Sequence, residues 1–354
     1  MKRNLLKKVM SLVVATSLMA TMMVGCGSET EESAGVLNMY IWTEYVPESV
    51  IEGFEEETGI QVNVSYYSSN EDLYAKLKSE AEGTYDLIQP SDYMVEKLAA
   101  QGMVEEIDKD ALTNFDNLSE AYLDPSYDPG NVYSIPFMGG LVAIAVNTSM
   151  ITTEITSYDD IFDASLAGQA VVLDDSRAII GLTAKSLGYS MSTTDAGELA
   201  EIEEKLLTLK DIIKVYDSDS PKSVLITGDC GLGLVWNAEV ALAMEENEDI
   251  EIVFPEEGAY MFLDNWSIPT GAVNSEEALM FIDYILSAEA SAACSEELPY
   301  LNPNDAAVAL LGDDYLNNIA KNIPAEEIAK GEYIENLDTD TQAIYEAMWT
   351  ELKK

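Results

Sequence analysis

The chain has 354 residues, 47% apolar and 23% charged, enough to build cores in two domains and too apolar to be disordered. Sixty-five Asp and Glu stand against 18 Lys and Arg, a net charge of −47, which repels phosphate backbones and argues against a nucleic-acid partner. There is no histidine, so Ser-His-Asp and Cys-His catalysis and His-ligated metal sites are excluded.

Lys2, Arg3, Lys7 and Lys8 precede an uncharged run, Val9 to Gly25, that is diluted by Ser, Thr and Ala and ends at a lone Cys26. This order reads as an export signal over residues 1–25 rather than a membrane span, which needs about 20 strongly apolar residues. Met23-Val24-Gly25-Cys26 resembles the lipobox of bacterial lipoproteins. That resemblance implies lipidation of Cys26 and an anchor on the outer face of the cell membrane, in the periplasm if the cell has an outer membrane. The signal holds four basic and no acidic residues, so its removal takes the net charge from −47 to −51. Residues 26–35 read as a flexible tether after the lipidated Cys. Cys230 and Cys294 lie in apolar and Ala-rich surroundings and read as small buried residues, with a disulfide left open by export.

The alternation from Val36 to Ile41 predicts a strand. Val50, Ile51 and Phe54 predict a helix over 48–58, stopped by Gly59. A strand follows at 61–67, then a helix from an Asn70 cap to about Ala81, a short strand at 85–88, and a helix from Asp92 to about Gln101. This βαβαβ order implies a mainly parallel sheet covered by helices. Leu141 to Asn147 reads as another strand. A second α/β series follows, with strands at 171–173, 213–216, 231–236 and 252–254 and helices at 177–187, 196–209 and 238–245. Beyond Asp264 the chain reads as mostly helical, at 275–287, 306–311, 316–322 and 340–352. No linker separates the halves, so the chain is expected to cross between them more than once. The crevice at the C-terminal ends of the strands is then the default ligand site.

Aromatics and carboxylates recur together at those ends: Trp42-Thr43-Glu44-Tyr45, Pro90-Ser91-Asp92-Tyr93, Asp174-Asp175-Ser176-Arg177 and Trp236-Asn237-Ala238-Glu239, then Tyr260, Phe262, Asp264, Trp266 and Tyr300. Ring faces hold methylenes and cations, each cation–π contact contributing about 0.5–2 kcal/mol, and carboxylates pair with ammonium groups. The pattern suits a small organic cation. Asp92 and Asp174 read as helix caps and Arg177 as a structural ion-pair partner. Asp217-x-Asp219 lacks the Gly and distal Glu of a calcium loop and reads as a turn. Adjacent Asp174 and Asp175 point apart and make no acid–base pair.

At these residues the sequence resembles the spermidine/putrescine-binding proteins of bacterial polyamine ABC transporters. The similarity runs from Val36 to Lys354 through Tyr40-Ile41-Trp42-Thr43-Glu44-Tyr45-Val46-Pro47, Asn70-Glu71, Tyr74-Ala75-Lys76-Leu77-Lys78, Tyr85-Asp86-Leu87, Leu112-Thr113-Asn114-Phe115, Tyr133-Ser134-Ile135-Pro136, Leu187-Gly188-Tyr189-Ser190, Val235-Trp236-Asn237 and Pro303-Asn304. It implies a two-lobed α/β fold of the periplasmic-binding-protein type II, closing like a clamp on ligand between the lobes. The lobes are expected at 36–143 plus about 264–305, and at 144–263 plus about 306–354. The implied protein is a monomer without cofactor or metal, not an enzyme, which binds putrescine or spermidine and hands it to ABC permease subunits. A different small organic cation, or polyamine sensing without a permease, are the alternatives.

Carried over by position, Trp42, Tyr45, Tyr93, Trp236 and Tyr300 match aromatic site positions. Thr43 and Ser91 match polar positions, and Asp175 and Asp264 match amine-binding carboxylates. The family's Asp-Asp-x-Arg-Glu reads Asp-Asp-Ser-Arg-Ala178 here, so one Glu is lost. Phe262 stands where the family has Trp, and Ile334, beside Glu335, where it has a Gln. Glu239, three residues after Trp236, is expected to supply the missing charge and shift preference toward putrescine.

Overall fold

Alternating burial along the first strand builds the first sheet. The computed structural model describes residues 35–43 and 45–354; the signal segment, Cys26 and all of the tether before residue 35 lie outside them. β1 (Gly35–Trp42) lies between β2 (Ile60–Tyr67) and β3 (Leu87–Ile88), parallel to both. Leu37, Met39 and Ile41 are fully buried, and Tyr40 on the opposite face is nearly so, as expected of a central strand covered on both sides. The helix Glu48–Thr58 buries Val50 and Phe54 and ends at Gly59, whose φ of 74° and N–H bond to the Glu55 carbonyl at 2.8 Å form a left-handed cap. The next helix, Asn70–Ser79, is capped one residue earlier than expected: the Ser69 hydroxyl accepts from the Asp72 N–H at 3.1 Å. Asn70 is thereby freed for the cleft.

The second sheet runs β10-β9-β4-β7-β5-β6, with β8 (Ile250–Val253) also on β4. β5 (Ala170–Val172) is parallel to β6 (Ile213–Tyr216) and β7 (Leu232–Trp236). β4 (Ile135–Asn147) is antiparallel to β7, β8 and β9 (Tyr260–Trp266), and the short β10 (Glu332–Tyr333) pairs with β9. β9 then leaves this sheet for the first. Ile88 and Ser267 exchange N–H···O bonds of 2.9 Å each, and the Asn265 N–H reaches the Pro90 carbonyl at 2.9 Å. β9 and the first half of β4 therefore tie the two sheets together.

Both tying segments escape the sequence reading, which begins β4 at Leu141 and has no strand at 260–266. Pro136, Gly139 and Gly140 look like breakers. Here Pro136 sits at a register irregularity, where a missing N–H is tolerated. The glycines admit β9 at close range. A Cβ on Gly139 would meet the Phe262 carbonyl oxygen at 2.6 Å, and one on Gly140 would overlap the Asn237 side-chain oxygen before meeting the Phe262 ring at 3.0 Å. The helix expected at 316–322 is instead the short turn Asp313–Leu316. The Ala320 carbonyl is used to accept from the Asn237 side chain at 2.8 Å, outside any helical ladder. Cys230 and Cys294 are both buried and free, so they do not pair.

The fully buried Asp86 carboxylate locks the first sheet to the segment that leads into the helix Ser275–Ile285. It accepts from the Asn38 N–H and side chain at 2.9 and 2.8 Å, from the Val273 and Asn274 N–H groups at 3.2 and 3.1 Å, and from the Asn274 side chain at 2.9 Å. Asp86→Ala strands these donors and is expected to cost about 3 kcal/mol. Urea unfolding checks this: the midpoint should fall with an unchanged slope.

Candidate functional site

The ends of the parallel strands converge on one narrow cleft, partly open to solvent. Trp42 closes β1, and the Thr43 N–H and hydroxyl hold the Tyr67 carbonyl at 3.2 and 3.3 Å. Ser91 follows β3, Asp175 follows β5, and Ser218 and Asp219 follow β6. Trp236 ends β7, with Glu239 in the first turn of the helix Asn237–Glu246. Tyr260, Phe262 and Asp264 alternate along β9, so all three face the cleft. Tyr300 arrives beside Leu301, whose N–H and carbonyl both bond Gly139 of β4, at 2.8 and 2.9 Å.

Trp42, Thr43, Tyr45, Ser91, Asp175, Trp236, Glu239, Phe262, Asp264 and Tyr300 all line this cleft. Tyr93 does not. It is buried behind the wall, its hydroxyl donating to Glu71 at 3.2 Å while the Arg177 guanidinium lies 5.0 Å over its ring. Arg177, expected in an ion pair, instead spends its charge on that ring, on Tyr345 at 5.6 Å and on the Glu335 carbonyl at 2.7 Å. Among the described residues it has no carboxylate oxygen within salt-bridge distance. Neither Ile334 nor Glu335 reaches the cleft. Ser68, Asn70, Ser218 and Asp219 line it without having been expected there, and so does Tyr260, which the sequence groups with the strand-end aromatics without matching it to a site position.

The rings form one wall. Trp236 packs on Phe262 with centroids 4.9 Å apart, Phe262 on Tyr300 at 5.9 Å, and Tyr300 on Tyr45 at 5.0 Å. Trp42 leans on Tyr67 at 4.6 Å. Trp266, by contrast, is a core residue between Phe137 and Phe281.

Carboxylates stand at this wall and just behind it. Asp264 is 3% exposed and accepts from the Ser91 hydroxyl at 2.5 Å; Ser91 in turn accepts from the Asn70 amide at 3.0 Å. Burial pushes Asp264 up to about 7, against the opposing pull of Ser91, Tyr45 and Trp42. Among the described residues the Tyr45 hydroxyl and the Trp42 indole N–H are buried with no acceptor within full hydrogen-bond distance, and they act on Asp264 from just beyond it. Asp92 lies behind the cleft, bonded to the N–H of Tyr93 at 2.6 Å and of Leu263 at 3.3 Å, and burial lifts it to about 8.

Asp175, expected as a ligand carboxylate, is also the helix cap expected of Asp174. One of its oxygens accepts from the Arg177 and Ala178 N–H groups at 2.8 and 3.0 Å. Burial raises its pKa, while those N–H bonds and the Arg177 charge oppose the rise. Asp174 points outward to Lys353 at 2.6 Å. Glu239 faces the cleft, but not as a spare charge: Lys222 Nζ sits 2.8 and 3.0 Å from its two oxygens. Asp217 caps a turn through the Asp219 and Ser220 N–H groups, as expected. No cluster of His, Cys, Asp or Glu suited to a metal occurs among the described residues. Rings for methylenes and desolvated carboxylates for ammonium groups are what this arrangement offers.

The sequence model of the bacterial extracellular solute-binding protein family matches residues 49–323, and the chain belongs to that family. Its fold is the two-lobed type II fold of periplasmic solute-binding proteins. The spermidine/putrescine-binding periplasmic protein of Salmonella typhimurium is 39% identical over 318 residues, 90% of this chain and 91% of that one. Its counterpart from Escherichia coli is 36% identical over 331 residues, 93% and 95% of the two chains. A solved putative spermidine/putrescine ABC transporter protein from Listeria monocytogenes is 31% identical, with a TM-score of 0.86 over 90% of this chain and 98% of that one. These proteins are solute binders rather than enzymes.

A cation set against Asp264 stabilises its ionised form, so binding releases a proton near pH 7. Affinity for such a cation is expected to rise roughly 30-fold between pH 5.5 and 8 and then level off, a dependence that Asp264→Asn flattens. Calorimetry in buffers of different ionisation enthalpy measures the released proton directly. Stability without ligand runs the other way. Unfolded carboxyls ionise near 4, whereas Asp264 and Asp92 hold their protons to about 7 and 8, so stability falls as pH rises through that interval.

Proposed function

We propose that the protein binds a polyamine, putrescine or spermidine, outside the cytoplasm and delivers it to the permease of an ABC importer. The observation that carries this reading is the pairing of a continuous aromatic wall with the part-buried Asp175 and the buried Asp264 in one cleft. The spermidine/putrescine-binding relatives supply the ligand class. Methylenes of a polyamine lie on the rings of Trp42, Trp236, Phe262 and Tyr300, and its terminal ammonium groups meet Asp175 and Asp264. No bond is made or broken. Ligand selects the closed arrangement of the lobes, and the closed form docks on the permease. The lobes in this scheme are residues 36–143 with about 264–305, and 144–263 with about 306–354, the crossing strands β4 and β9 serving as the hinge. The working form is a monomer, tethered through lipid on Cys26.

Calorimetric titration of residues 35–354, one compact unit, with putrescine, spermidine, spermine, cadaverine and amino acids tests the ligand. Micromolar or tighter binding of putrescine or spermidine is expected, about −8 kcal/mol or better. Asp175→Asn and Asp264→Asn should each weaken it by about tenfold or more. Silence on every polyamine sinks the proposal. For the anchor, Cys26→Ala should move the protein from the membrane fraction to the soluble exported fraction.

A further inference from the structure

Lys222 opens the short helix Lys222–Ile226, in the segment whose Ser218 and Asp219 line the cleft. Its ammonium grips both oxygens of Glu239, at 2.8 and 3.0 Å, and its backbone N–H adds a third contact at 3.3 Å. The pair is largely withdrawn from water, with side-chain exposures of 23% for Lys222 and 6% for Glu239. We infer that Lys222 is a resident ammonium, a specificity-determining residue that occupies Glu239 and fits the cleft to ligands with two ammonium groups rather than three.

The inference deepens the polyamine reading and rests on it. Four carboxylate side chains line the cleft: Asp175, Asp219, Glu239 and Asp264. Asp219 is exposed, where water weakens its pull. Glu239 is neutralised by Lys222. Asp175, part-buried, and Asp264, buried, are left to face the ligand, which matches two ammonium groups. A third ammonium near Glu239 meets the Lys222 charge at short range, in a part-buried setting where salt screens little. Driving Lys222 away does not help, because it removes a partly buried cation from its partner. The residue that restores the family's lost acidic charge in sequence is thus cancelled in space.

Calorimetry with putrescine and spermidine on the wild type, Lys222→Met, Lys222→Arg and the double variant Lys222→Met/Glu239→Gln tests this. Lys222→Met removes the ammonium from Glu239 and should improve spermidine relative to putrescine by about tenfold. Lys222→Arg keeps the cation and should keep the wild-type ratio; the double variant should lose the gain. A ratio in Lys222→Met within about twofold of wild type overturns the inference. If Lys222→Met does not fold, Glu239→Gln carries the test. It leaves Lys222 uncompensated and should weaken spermidine more than putrescine, and an equal loss for both overturns the inference. A wild type that binds neither amine ends the polyamine reading on its own. Spermidine binding by Lys222→Met alone would still uphold the role of Lys222, and silence in both proteins would end it.

Discussion

The close approach of β9 to β4 is the constraint on which the rest of the molecule depends. It requires glycine at 139, because the Phe262 carbonyl oxygen occupies the space where a Cβ would stand, while Gly140 leaves room for the Asn237 side-chain oxygen and, behind it, the Phe262 ring. From that contact follow the two properties that matter. The strand pair reaches both sheets, so the lobes are connected through hydrogen-bonded backbone rather than through a loose linker. And β9 delivers Tyr260, Phe262 and Asp264 on one face, so a single strand supplies ring and charge to the cleft at fixed spacing. Tyr300 belongs to the same system, since its neighbour Leu301 is bonded to Gly139.

Charge is handled unevenly across the fold. Most of the acidic excess is solvated surface, which keeps the chain soluble through self-repulsion. A few carboxylates are desolvated, and each is stabilised by different means. Asp86 is surrounded by N–H donors, Asp175 sits on a helix start, Glu239 takes a lysine, and Asp264 keeps a proton in reserve. Asp264 is the one whose ionisation depends on what lies beside it, and a ligand cation is the partner its surroundings suit.

How much of this was legible follows from the kind of signal each feature leaves. Helices and strands with clean periodicity were readable: Glu48–Thr58 falls at its expected bounds, and β1 to β3 stand in the expected order. Sites at strand ends were readable too, because topology puts those ends together. β9 was not, because its polar residues Asp264 and Asn265 break the apolar pattern, and they are held by hydrogen bonds with the distant Ser91, Tyr127 and Pro90. The choice between Asp174 and Asp175 as cap turned on which of two neighbours faced the helix start, which no spacing rule decides. Tyr93 matched a site position in sequence, yet the Arg177 guanidinium holds it behind the wall. Lys222 was invisible for a related reason, since its partner lies 17 residues on and one turn into another helix.

The two core cysteines carry a consequence for how the exported chain reaches its native state. Both thiols are free and shielded, and burial raises both of their pKa values, which holds them in the less reactive protonated form. Folding of the domain therefore needs no oxidation step at Cys230 or Cys294. The same shielding makes them internal clocks: a thiol reagent reaches them only when the core opens, so their labelling rate measures opening of each region without any added probe.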